Sequence, residues 1–100
     1  AVPSGWTHAR HLYTVVVDES RCGWTRDGLQ AALGREGIGT SVHFKALHLH
    51  TYYAQRFNLR RGMFPNAEFH SDHSLSLPFW SGMALTDVDR VVETLARLLA

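Results

Sequence analysis

Apolar residues along this chain switch between two spacings, near two and near 3.6, and the switches divide it into elements. Leu12-Tyr13-Thr14-Val15-Val16-Val17 is an unbroken β-branched and aromatic run, which predicts a strand covered on both faces. Asp18 to Gly23 reads as a turn. Thr25 or Asp27 then caps a helix, with Gln30 placed for a capping box with Asp27. Leu29, Ala32, Leu33 and the stem of Glu36 form its buried stripe, and Gly37 ends it. Thr40 to Phe44 alternates again. As a strand it turns Thr40, Val42 and Phe44 towards a core and leaves Ser41, His43 and Lys45 on the other face.

Leu49, Tyr52, Tyr53 and Phe57 recur at helical spacing and predict an amphipathic helix, in which the two tyrosines are packing residues. Asn58 to Pro65, carrying Gly62, interrupts it, and Asn66 is placed to cap a short helix running towards His73. Leu75, Leu77 and Phe79 alternate against Ser74, Ser76 and Pro78, as in a strand whose proline end lies at an edge. Thr86 heads the final helix, with Asp87 and Asp89 in its first turn. Its stripe is Val88, Val91, Val92, Leu95, Leu98 and Leu99. The order implies an α+β fold, a small antiparallel or mixed sheet with helices packed on one face.

Composition narrows the class. One hundred residues, 45% of them apolar, support one ordered domain with a modest core. Ten basic residues nearly balance nine acidic ones, too even for a nucleic-acid surface, and Arg60-Arg61 reads as a solvated loop. Cys22 is the only cysteine, which fits a reducing cytoplasm and an inert thiol, and no run approaches membrane-spanning length. Trp6, Phe64, Phe79 and Trp80 fall outside the regular apolar faces. Either another domain or subunit covers them, or they form a satellite cluster of the chain's own core.

Three histidines and the only lysine fall between His43 and His50, beside the strand end. An imidazole and an ammonium on one strand face suit a negatively charged, oxygen-rich ligand. A resident metal is not expected. His43, His48 and His50 could converge, and His70 with His73 sits at helical i, i+3 spacing. The two groups come from separate elements, however, with no second cysteine and no glutamate-containing histidine motif. Ser41, Ser74, Ser76 and Ser81 lack a nucleophile elbow, and Gly37-Ile38-Gly39 lacks the third glycine of a dinucleotide fingerprint. Lys45 has no local desolvating pocket to make it a Schiff-base amine, so it reads as anion-facing or salt-bridging. Residue chemistry alone thus describes a domain that lends polar groups to a site and does not build one unaided.

The ordered motifs resemble the C-terminal domain of the DegT/DnrJ/EryC1/StrS family of sugar aminotransferases. The matching pieces begin with His11-Leu12-Tyr13, Arg26-Asp27-Gly28-Leu29, Gly37-Ile38-Gly39-Thr40, His43-Phe44 and Leu47-His48. They continue with Tyr52-Tyr53, Phe64-Pro65-Asn66-Ala67-Glu68, Leu75-Ser76-Leu77-Pro78 and the Thr86-headed helix. Within the family, residues 17–23, 42–46 and 52–57 are similar to a branch acting on a UDP-linked keto-pentose. Ala46 stands where many relatives have proline, and Trp80-Ser81-Gly82 where an aromatic-Pro-Gly sequence is common.

The resemblance implies the small C-terminal domain of a fold-type I, pyridoxal-phosphate-dependent aminotransferase over residues 8–100, with residues 1–7 a linker remnant. It implies that the cofactor is held mainly by an N-terminal domain absent from this chain, and that the fragment is inactive alone. The implied partners are that domain, a nucleotide-sugar substrate, glutamate or 2-oxoglutarate, and a second copy in a cytoplasmic homodimer, with neither nucleic acid nor membrane. It makes His43, Lys45 and His48 the substrate-binding candidates. The alternative for His43 is a strand-end histidine hydrogen-bonded to backbone, and for His48 a pin for the following turn. For the whole chain, the alternative is a stand-alone, non-catalytic binding or interaction module of the same fold.

Overall fold

A computed structural model describes residues 2–100. Strand β1 (Tyr13–Val16) is followed by helices α1 (Glu19–Cys22) and α2 (Arg26–Arg35). A 3-10 turn (Leu47–Leu49), α3 (Thr51–Phe57), α4 (Pro65–His73), β2 (Ser74–Leu77) and α5 (Leu85–Leu99) complete it. β1 and β2 pair antiparallel, Tyr13 opposite Leu77 and Val16 opposite Ser74. A two-stranded sheet is marginal without a cover on its apolar face. Here Val15, Val17, Leu75 and Leu77 meet Leu29 and Leu33 of α2 and Val91, Leu95 and Leu98 of α5, and Leu33 and Leu75 are fully buried. The α+β architecture with helices on one sheet face is therefore the one observed.

Side-chain and backbone groups close the helix ends. Thr25 caps α2 by accepting from the Gly28 N–H. At the other end Gly37 adopts φ 73°, and the Ile38 and Gly37 N–H groups donate back to the carbonyls of Leu33 and Gly34. That left-handed cap turns the chain so that Ile38 enters the core beside Leu33. The Trp24 indole N–H donates to the Leu98 carbonyl, and the Arg90 guanidinium to the Glu36 carbonyl, so α2 and α5 satisfy each other's terminal acceptors. Arg26, mostly buried, donates to the carbonyls of Ser71 and Ser74 and ties α2 to the place where α4 becomes β2.

Several expectations are corrected. Residues 40–44 do not form a strand. Only Ser41 pairs, exchanging both backbone bonds with Ser76, because the Ala46 N–H donates to Ser71 Oγ and draws the chain off the sheet edge towards α4. Phe44 is consequently exposed rather than in the core. β1 is not covered on both faces, since Tyr13 is 58% and Val16 50% exposed. Residues 18–23 contain a helical turn, capped by Asp18. Gln30 leaves the capping box and donates to the Thr40 carbonyl. Asn66 and Thr86 lie one residue inside their helices, whose first residues are Pro65 and Leu85. Among the described residues no helix is long and apolar enough to cross a membrane.

The two glycines near the end of α2 make a paired prediction. Gly37→Ala forces a Cβ into a left-handed residue 3.3 Å from the Arg90 guanidinium and should cost about 1–2 kcal/mol. Gly34 has nothing within 4 Å of its Cβ direction, so Gly34→Ala should stabilise by about 0.5 kcal/mol. Urea denaturation of the two variants should give opposite signs.

Candidate functional site

The alternation of β2 creates the site. Leu75 and Leu77 point into the core, so Ser74 and Ser76 face the opposite side, where both are nonetheless buried. Ser76 directs its backbone N–H and C=O towards Ser41, which makes Thr14 opposite Ser76 a non-hydrogen-bonded pair with close side chains. The Thr14 and Ser76 hydroxyls accordingly lie 3.0 Å apart, and Ser76 Oγ is 2.9 Å from His43 Nδ1. His43 is half-buried, with the Phe44 ring edge-on to it. Its Nδ1 is engaged by a side-chain hydroxyl rather than by backbone, and its Nε2 has no partner among the described residues.

Either direction of the hydroxyl chain suits that outer nitrogen to a ligand. If Thr14 donates to Ser76 and Ser76 to Nδ1, Nε2 carries a proton and donates outward. If His43 donates to Ser76 and Ser76 to Thr14, Nε2 presents a lone pair. Two residues on, Lys45 is exposed and forms no ion pair among the described residues. His43 and Lys45 thus bring a fixed imidazole and a free ammonium to one segment.

His48 is placed differently. It is buried, with Nε2 2.8 Å from Glu68 Oε1 and its ring edge-on to Phe64. Glu68 also accepts from the N–H groups of Gly62 and Phe64. Burial pushes the Glu68 carboxyl up, but the bonds from His48, Phe64 and Gly62 outweigh it and hold the group below its ordinary value. A carboxylate can only accept, so the proton of this bond sits on His48 Nε2. Arg61 clasps Asp72 through both guanidinium nitrogens, 2.7 and 3.3 Å, and that hydrogen bond lowers the Asp72 carboxyl, so Arg61 already has its anion. Among the described residues no three His, Cys, Asp or Glu side chains gather to hold a metal ion.

Thr14, Glu68, Ser71 and Ser76 were not identified from the sequence. The serine alternation in β2 signals a polar face, but not that this face is covered. Nothing in the spacing pairs Glu68 with His48, which the fold brings to it from twenty residues away.

The chain as a whole matches known proteins. The model of the DegT/DnrJ/EryC1/StrS aminotransferase family matches residues 2–96. The chain belongs to that family. It is similar to a DegT DnrJ EryC1 StrS aminotransferase from Brucella abortus, at 28% identity and a TM-score of 0.77, over 100% of this chain and 25% of the other. It is also similar to DesI, solved in the presence of its TDP-sugar product, at 28% identity and a TM-score of 0.68 over 82% of this chain and 20% of that one. The chain thus spans a quarter or less of these two solved proteins. A pyridoxal phosphate site requires an attachment amine and groups that hold the ring and phosphate. The only lysine here, Lys45, is exposed and lies outside the grooves along α5. The residues of this chain therefore do not make such a site by themselves.

The Glu68 contacts give a pH signature. Because the folded carboxyl is lowered, its stabilisation is fully present above the ordinary glutamate value and is lost as pH falls through the lower, folded one. Unfolding free energy should decline on acidification below about pH 4.5, the ordinary value. The decline should be shallower in Glu68→Gln, measured by urea denaturation from pH 3 to pH 6.

Proposed function

We propose that this chain is the C-terminal small domain of a pyridoxal-phosphate-dependent nucleotide-sugar aminotransferase. The whole enzyme moves an amino group from L-glutamate to the keto carbon of a sugar linked to a nucleoside diphosphate. The observation that carries this reading is His43, locked through Nδ1 to the Ser76–Thr14 hydroxyl pair with Nε2 left free beside an exposed Lys45. A rigid imidazole distinguishes sugar hydroxyls by hydrogen bonding, and a mobile ammonium attracts the diphosphate or the dicarboxylate donor. The cofactor supplies the electron sink and belongs to the large N-terminal domain. The likeness of residues 17–23, 42–46 and 52–57 favours a substrate such as that of UDP-4-amino-4-deoxy-L-arabinose–oxoglutarate aminotransferase, a UDP-4-keto-pentose.

Surface area supports a domain within a larger body over a self-contained binding module. A folded monomer of 11.3 kDa exposes about 5,700 Å², whereas this chain exposes 7556 Å². Its radius of gyration is 16.1 Å, against about 13 Å for an independent domain of this length. The surplus includes Trp6, Tyr13, Phe79 and Trp80, all exposed, and a groove between the sheet and α5 lined by Val15, Leu77, Val88 and Val92. The N-terminal domain and a second copy of the enzyme, in a cytoplasmic homodimer, are the covers we assign to it.

The test is to assay the full-length enzyme with L-glutamate against UDP- and TDP-linked keto-sugars. Amino-sugar nucleotide and 2-oxoglutarate should form in equal amounts, and this chain alone should form none. His43→Ala should lower kcat/KM for the accepted sugar by about 10- to 100-fold, the worth of one hydrogen bond to a charged or polar group. The cofactor absorbance should stay unchanged. Absence of turnover with every keto-sugar nucleotide would reject the function, and full activity of His43→Ala would reject the site.

A further inference from the structure

Glu68, Ser71 and Ser76 lie on one continuous unit, α4 running directly into β2, and each holds a point of the segment that runs back along it. Ser76 holds Ser41 by two backbone bonds and His43 by its hydroxyl. Ser71 Oγ accepts from the Ala46 N–H at 3.0 Å, and Glu68 takes the His48 imidazole at 2.8 Å. Between these anchors Phe44, Lys45 and Leu47 are exposed. Lys45 has a flexible stem and no ion-pair partner among the described residues, so its reach is set by where its backbone is held.

We propose that Glu68, acting through His48, is a positioning residue that sets where Lys45 and His43 stand against the substrate. The inference rests on the reading above that this segment faces the nucleotide sugar, and deepens it. His48 thereby passes from substrate contact to support, since the residue is 5% exposed. The turn it anchors adds little to the core. Phe44 and Leu47 are 74% and 62% exposed, and neither joins the cluster around Leu33 and Leu75. Losing the His48–Glu68 bond therefore frees the Lys45 backbone more than it loosens the fold. It leaves the Ser71–Ala46 bond to hold the segment on that side.

The experiment uses the full-length enzyme with its accepted keto-sugar nucleotide and compares His48→Leu, His48→Gln and Ser71→Ala, with His43→Ala as reference. The glutamine amide keeps a donor near the position of the imidazole Nε2, and leucine removes it. His48→Leu should raise KM for the nucleotide sugar about tenfold while kcat moves less than about twofold. His48→Gln should recover most of that loss, Ser71→Ala should raise KM by about threefold, and the cofactor absorbance should be common to all. A His48→Leu enzyme that melts earlier with KM unchanged would make His48 purely structural and overturn the inference, as would a glutamine variant no better than leucine. Should His48→Leu fail to fold, Ser71→Ala decides, a raised KM supporting the inference and an unchanged one rejecting it. Normal His48→Leu kinetics beside an impaired His43→Ala reject the positioning role alone. A fully active His43→Ala rejects the site reading and this inference with it.

Discussion

The mostly buried guanidinium of Arg26 is the constraint on which the rest of the arrangement turns. It donates to the carbonyls of Ser71 and Ser74, at the point where α4 stops and β2 starts without an intervening loop. Those carbonyls would otherwise be unsatisfied acceptors at a helix end, and a cation there also meets the negative end of the helix dipole. Because Arg26 is the first residue of α2, one side chain joins the core helix to the helix–strand unit that carries the site.

From that junction the small sheet acquires two different faces. The leucines of β2 together with Val15 and Val17 drive burial against α2 and α5, the dominant favourable term in a body this small. The serines of β2 face the other way and would be costly to bury without partners. Ser41, His43 and Thr14 satisfy Ser76, and on the adjoining α4 the Ser71 hydroxyl accepts from the Ala46 N–H. Burial and hydrogen bonding thus act on opposite sides of a single strand, and the polar side fixes the imidazole that we assign to the substrate.

Much of this was legible in the linear order. The β1 run, the α2 stripe ending at Gly37, the Ser-Leu-Ser-Leu alternation of β2 and the α5 stripe each carry a local period or a local cap, so each appears where it was expected. The segment 40–44 did not follow its own alternation. A five-residue pattern records propensity but not the competing bond from Ala46 to Ser71 that pulls the chain away. The caps at Asn66 and Thr86 shifted for a smaller reason, since Pro65 presets the first helical φ and Leu85 enters its helix without needing a side-chain acceptor.

Short-range periodicity, the turn glycine at Gly37 and the cluster of His43, Lys45 and His48 were properties of the sequence itself, because neighbours within four residues decide them. The motif order carried the family. What only the tertiary structure decided is how deeply each of those three residues is buried. His43 and Lys45 reach the surface, whereas His48 is buried against Glu68, twenty positions away. Contacts between distant parts of a chain leave no periodic trace, so no reading of spacing separates a histidine that stays at the surface from one buried against a distant carboxylate.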